Sequence, residues 1–166
     1  YTKMIEKKEF DFARAINKTN QYFHWELEFP IIFLRNMGFD CVIGNPPWGA
    51  NIDNIIKYIH IFYPDSTSNH TDSFKLFIDR AIQLSKNKGI YSMIVPNSII
   101  RQKRSRDVRR IILNYCLNTF VDLGDNVFEG VVAPCCIFVG KKVKPEVSNI
   151  SQSLNIGYLS NVVKGS

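Results

Sequence analysis

Residues 39 to 48, Phe-Asp-Cys-Val-Ile-Gly-Asn-Pro-Pro-Trp, limit the possible folds more than any other stretch of the chain. From Phe39 to Gly44 there is no polar alternation after Asp40, the pattern of a strand buried on both faces in a parallel sheet. Pro46 and Pro47 then stop the strand, because neither has an N–H for a ladder and each locks its own φ. A residue that precedes proline is pushed to extended geometry, so the Asn45 amide and the Pro46 carbonyl can point to one side as paired acceptors. Trp48 can cover the face of whatever lies there. Such a turn suits a flat ring that carries an amino group. The plain alternative is a loop breaker after a strand. With proline at about 5% of residues, however, an Asn-Pro-Pro-aromatic string arises by accident in on the order of one chain in a thousand of this length.

The chain has 166 residues, 45% of them apolar, with 9 Gly and 7 Pro, which predicts one globular unit with its own core. Cys41, Cys116, Cys135 and Cys136 show no Cys-x-x-Cys spacing and lie in or beside apolar runs. They are expected to be buried reduced thiols, which points to the cytoplasm. The longest apolar run, 131 to 139, is nine residues and contains Pro134, which suits a core strand and is too short for a membrane span. No signal peptide or lipidation motif is visible, and no membrane partner is expected. The chain opens on Tyr1, which suggests an excised domain.

The net charge of +6 is concentrated: residues 101 to 110 hold six Lys or Arg against one Asp. Arg101, Lys103, Arg104 and Arg106 are candidate contacts to a phosphate backbone. The competing reading is a solvated helix start that keeps the protein soluble.

Along the chain, residues 3 to 18 read as a helix with a solvated face, and 23 to 33 as an aromatic, irregular or short-helical segment interrupted by Pro30. After the Asn-Pro-Pro-Trp turn, apolar residues at 52, 55, 56, 59 and 62 form a helical stripe. A polar loop follows over 64 to 71, and Asp72 or Ser73 can cap the next helix. That helix is expected to turn Phe74, Phe77, Ile78, Ala81, Ile82 and Leu84 inward and to stop near Lys88-Gly89. Ile90 to Val95 is a strand closed by Pro96-Asn97-Ser98, Arg106 to Leu117 a helix, and Thr119 to Leu123 a strand. A turn at 124 to 126 leads to a last strand, Cys135 to Val139, stopped by Gly140-Lys141-Lys142. The order implies an α/β fold with a mostly parallel sheet and an antiparallel last strand. Residues 143 to 166 are weakly patterned and read as a tail or the start of a following domain. His24, His60 and His70 have no ligand spacing and no metal is expected, while Asp72 and Asp79 read as a cap and a solvated face.

Taken together, 23 to 33, 39 to 49, 72 to 98 and 109 to 141 resemble, in this order, the catalytic half of an N6-adenine DNA methyltransferase with an Asn-Pro-Pro-aromatic motif. The particular resemblance is to the large restriction-modification methylases of type IIG character. It implies a fragment of a Rossmann-like sheet that uses S-adenosylmethionine as methyl donor, with residues 1 to 142 as the target-base half of the domain. By this resemblance the target nucleotide is rotated out of the DNA duplex, and the Asn45 side chain and Pro46 carbonyl accept its two N6 hydrogens. Pro47 completes the catalytic turn, Trp48 stacks on the base, and Phe128 supplies a second aromatic. Asn45 and Pro47 also lie against the cofactor.

In such enzymes a Gly-rich loop and an acidic residue that bind the cofactor stand upstream of Asn-Pro-Pro. Here 44 residues precede Asn45 and no Gly-x-Gly occurs. The resemblance therefore implies that the first strands of the sheet and a target-recognition domain belong to other parts of the same polypeptide. The fragment alone is then expected to be inactive and to bind the cofactor weakly at best. The edge of the catalytic strand would be exposed, to be covered by self-association or by the N-terminal segment. Two other readings stay open. One is a methyltransferase acting on ribosomal RNA or on a protein glutamine amide, whose planar amino groups suit the same acceptors. The other is a non-catalytic nucleic-acid-binding module.

Overall fold

A computed structural model describes residues 23–125, 127–128 and 133–145, together with the backbone of 155–158. The helix expected over 3 to 18 lies outside these residues. Two short helices come first, α1 (Trp25–Glu28) and α2 (Pro30–Asn36). Pro30 opens α2 at its first turn, where the missing N–H costs nothing, so the proline separates two helices and breaks neither. Strand β1 (Phe39–Gly44) leads to a 3-10 turn (Asp53–Ile55) and α3 (Ile56–Phe62). Next come α4 (Ser73–Leu84), β2 (Ser85–Pro96), α5 (Ser98–Arg101), a second 3-10 turn (Lys103–Ser105) and α6 (Arg106–Leu113). Strands β3 (Cys116–Gly124), β4 (Cys135–Lys141) and β5 (Asn155–Tyr158) complete the sheet.

The sheet order is β1-β2-β4-β3-β5. β1 pairs parallel with β2 and β3 parallel with β5, while β4 runs antiparallel to both of its neighbours. The strand expected to be antiparallel, the one that begins at Cys135, is so, and it lies inside the sheet between β2 and β3. The ladders are mixed, with β4 in two antiparallel pairings, where the sequence predicted a mostly parallel sheet. Ten residues, 125 to 134, separate β3 from β4, too few for a crossover to a parallel neighbour, so antiparallel pairing follows. β5 falls within the weakly patterned stretch after residue 142.

One face of the sheet carries the core. Tyr91, Met93 and Val95 of β2 alternate inward with Cys136 and Phe138 of β4, and they meet Phe74, Ile78 and Ile82 of α4 and Val108 and Ile112 of α6. Of the residues expected inward on α4, Phe77 is instead 49% exposed. β1 was expected to be buried on both faces. In the structure Val42 packs on the core while Cys41 and Ile43, on the opposite face, are exposed, Ile43 at 75%. The reason is position: β1 is the edge strand, and among the described residues nothing pairs with its outer side. The same placement exposes Cys41, whereas Cys135 and Cys136 are buried and all four cysteines are free. Burial pushes the Cys136 thiol up to about 12. Trp25, Phe29 and Phe33 gather on Phe39 at ring separations of 5.7, 5.4 and 5.5 Å, tying α1 and α2 to the start of β1.

Two boundaries shift from their predicted places. α4 stops at Leu84, and β2 begins at Ser85 opposite Phe39. α6 stops at Leu113, because Cys116 and Leu117, expected in the helix, pair with Lys141 and Gly140 of β4. Among the described residues no helix is long and apolar enough to cross a membrane.

Candidate functional site

β1, β2 and β3 all point the same way, so their C-terminal ends lie along one edge of the sheet, the usual place for a ligand in an open α/β sheet. The Asn-Pro-Pro-Trp turn leaves β1 at this edge. Asn45 and Pro47 are exposed, Pro46 is buried, and Trp48 is half-buried against the core. Among the described residues, no hydrogen bond engages the Asn45 side chain or the Pro46 carbonyl, so neither acceptor is taken. Trp48 and Phe128 meet edge to face with ring centroids 6.1 Å apart and planes at 68°. Two aromatics placed far apart in sequence are therefore brought together, with no slot between them that would fit a third ring. The Trp48 indole N–H is buried and has no partner among the described residues.

The turn is held from behind by the start of α4. Gly49, at φ 63°, donates its N–H to Asp72 Oδ1 at 3.1 Å. Ala50 donates to Ser73 Oγ at 3.1 Å, and the same hydroxyl donates to the Pro47 carbonyl at 2.7 Å. The left-handed conformation at 49 is one that a residue without Cβ adopts at no steric cost. Asp72 occupies the N-cap position of α4, but its side chain makes no capping bond. The sequence had marked Asp72 and Ser73 as cap residues only, and nothing in their spacing from Pro47 reveals the bracing.

The basic segment lies next to this frame. Arg101, Lys103, Arg104 and Arg106 are all exposed. Arg109 is half-buried and donates to the Ile99 and Gln102 carbonyls at 2.5 and 2.9 Å, so it holds the segment's shape. Arg101 and Arg104 line a cleft of about 570 Å³ together with Asn97, Ser98, Asp122 and Pro134, at the C-terminal ends of β2 and β3. Asn97 closes the end of the β2–β4 ladder by donating to the Pro134 carbonyl at 2.9 Å.

Sequence reasoning also missed Lys75. Its ammonium is 1% exposed and donates to Asp107 Oδ1 at 2.8 Å, to the His70 carbonyl at 2.6 Å and to the Arg104 carbonyl at 2.5 Å. The available signal was a lysine three and seven residues before Ile78 and Ile82, on the apolar stripe of α4. The three histidines are exposed, and His60 Nε2 pairs with Thr71 Oγ1 at 3.1 Å. Among the described residues there is no cluster of His, Cys, Asp and Glu that could hold a metal.

The sheet, with antiparallel β4 at its centre among strands that otherwise run one way, is the fold of solved S-adenosylmethionine-dependent methyltransferases. Solved structures agree. A protein described as a class I methyltransferase of this kind from Listeria monocytogenes superposes with a TM-score of 0.60 at 21% identity, over 76% of this chain and 38% of its own. A type I restriction enzyme modification subunit from Vibrio vulnificus gives 0.56 at 22% identity, over 74% of this chain and 27% of its own. The chain belongs to the Eco57I restriction-modification methylase family, which matches residues 1–128. It is 30% identical over 129 residues to a protein of Methanocaldococcus jannaschii described as a type II restriction enzyme and methyltransferase. It is 28% identical over 117 residues to the type II restriction enzyme and methyltransferase RM.Eco57I of Escherichia coli. These matches cover 77% and 66% of this chain but 11% and 12% of those relatives, so the chain spans about a tenth of their length.

Proposed function

We propose that residues 1 to 142 form the target-base half of an N6-adenine DNA methyltransferase that works within a restriction-modification enzyme. The observation that carries this reading is a pair of acceptors without partners among the described residues, the Asn45 amide oxygen and the Pro46 carbonyl, beside a half-exposed Trp48. An exocyclic NH2 group has two hydrogens to offer and two acceptors to receive them. Bound S-adenosylmethionine supplies a methyl group on a sulfonium leaving group.

Asn45 and Pro46 hold both N6 hydrogens, which turns the nitrogen lone pair toward the methyl carbon. In that position N6 would take the methyl group that bound cofactor supplies, and the N6 proton it gives up would pass by way of the Asn45 or Pro46 acceptor to solvent. Trp48 offers its free face for stacking, a contact worth about 1 to 3 kcal/mol, with Phe128 at the rim. The residues present fit the base and one wall of the cofactor, Asn45 and Pro47 at the exposed end of β1. They include no Gly-rich loop to grip the adenosine. Binding of cofactor by these 166 residues alone is therefore weak, and a calorimetric titration with micromolar affinity would overturn that.

DNA is the partner that the exposed Arg101, Lys103, Arg104 and Arg106 suit. A further part of the same polypeptide, or a second copy, covers the outer edge of β1. The experiment is methyl transfer by the complete enzyme from labelled cofactor to duplex DNA, ribosomal RNA or a translation release factor. Label in N6-methyladenine of the duplex supports the proposal, and label in the RNA or in a glutamine amide replaces it with the alternative. Asn45→Ala is expected to lower kcat about 100-fold or more.

A further inference from the structure

We propose that Asp72 and Ser73 are positioning residues for methyl transfer: they set where the Asn45 amide and the Pro46 carbonyl stand. This rests on the reading of Asn45 given above. The turn that carries these acceptors has few ways of fixing itself. Pro46 and Pro47 have no N–H, and the Trp48 indole N–H is buried without a partner among the described residues. Beside the packing of Pro46 and Trp48, three bonds hold the turn: Gly49 N–H to Asp72 Oδ1, Ala50 N–H to Ser73 Oγ, and Ser73 Oγ–H to the Pro47 carbonyl.

Ser73 is 2% exposed, and its hydroxyl both donates to and accepts from the turn, so one side chain serves two of the three bonds. Asp72 stands where a helix cap belongs and spends its carboxylate on Gly49 instead, leaving α4 without a side-chain cap. The bracing end of α4 is itself anchored, because Lys75, two residues on, pairs with the buried Asp107. The acceptors thus refer through Pro47, Gly49 and Ala50 to a fixed point in the core. An amide that must aim a lone pair at a methyl carbon needs such a reference, since a misplacement of about 1 Å can cost about 100-fold in rate.

The test compares Asp72→Ala, Asp72→Asn and Ser73→Ala in the complete enzyme with a saturating DNA duplex, with Asn45→Ala alongside. Asn at 72 keeps a side-chain oxygen for the Gly49 N–H, and Ala does not. Asp72→Ala and Ser73→Ala are expected to lose about 100-fold in kcat while KM for cofactor and DNA moves by less than about three-fold. Asp72→Asn is expected to stay within about three-fold of the parent in kcat. A duplex with 2-aminopurine at the target position should still brighten with all three, because the base leaves the stack and is then held out of line.

Loss at Asn45→Ala with parental kcat at both Asp72→Ala and Ser73→Ala overturns the positioning role alone. Parental kcat at Asn45→Ala overturns the functional reading and this inference with it. If Ser73→Ala fails to fold, the Asp72 pair decides: equal kcat for Ala and Asn sinks the proposal, and a gap of the expected size supports it.

Discussion

The Lys75 ammonium lies 2.8 Å from Asp107 Oδ1 with the two side chains 1% and 0% exposed, so α4 and α6 are joined by an ion pair shut off from water. Asp107 Oδ2 also accepts from the Asn69 N–H at 3.1 Å, and Lys75 reaches the His70 and Arg104 carbonyls. One buried pair thereby gathers the 63–71 loop, the helix behind the Asn-Pro-Pro-Trp turn and the basic segment. Buried charges are tolerated only when every remaining lone pair and proton has a partner, and here they do.

Removing one partner leaves an uncompensated charge in the core. Lys75→Met is expected to cost about 3 to 5 kcal/mol in chemical denaturation. The double variant Lys75→Met with Asp107→Leu should be more stable than either single variant, yet short of the parent, because the His70 and Arg104 carbonyls and the Asn69 N–H stay unpaired. A double variant no better than Lys75→Met would contradict this account.

Gly140 faces Tyr91 across the β2–β4 ladder, and a Cβ built there would fall 2.3 Å from the Tyr91 ring carbon Cζ. Tyr91 is fully buried, its hydroxyl donates to the Ile112 carbonyl at 3.3 Å, and its ring packs on Phe138. To make room the ring must give up its bond to Ile112 or its contact with Phe138. Gly140→Ala should therefore destabilise by about 1 to 3 kcal/mol, read as a lower melting temperature in calorimetry. An unchanged melting temperature would mean that the ring shifts freely.

Arg101, Lys103, Arg104 and Arg106 are exposed while Arg109 is tied to backbone carbonyls. Arg104, although its Nε donates to Gln102 Oε1, keeps its terminal guanidinium nitrogens for solvent-side partners, so all four can meet phosphate. Replacing all four by glutamine should reduce the slope of log K against log salt for duplex DNA by up to about 3 to 4. Fluorescence anisotropy over a salt series measures it, and an unaltered slope would remove the segment from the DNA contact.

Asp79 was expected on a solvated face, but it is half-buried, and desolvation raises its carboxyl pKa above the ordinary 3.8 despite hydrogen bonds from Ser66 and Gln83. A folded-state pKa above the unfolded value means that the native state binds this proton more tightly. The ionised form then costs stability at neutral pH, and the cost fades as pH falls through the raised value toward 3.8. Asp79→Asn should raise the melting temperature at neutral pH and lose that advantage near the unfolded pKa of about 3.9. A constant difference across the range would show that the carboxyl does not titrate differently on folding.

Much of this protein can be read along the chain because it depends on local chemistry. Two prolines after an apolar strand make a rigid turn wherever they occur, and the 3.6-residue period of α4 marks its core side without reference to any partner. The α/β class, the Asn45 to Trp48 turn and the clustered basic charge are of this kind. The place of β4 between β2 and β3, the one-sided burial of β1, the contact of Trp48 with Phe128 and the bracing by Asp72 and Ser73 are of another. Each joins residues distant in sequence, and strand order and side-chain pairing across such gaps are set by which surfaces close a core together. An Asp-Ser pair before an apolar run looks like a helix cap from its neighbours alone. Only the folded chain, by bringing Gly49 and Pro47 within hydrogen-bond reach, makes it a support for the turn.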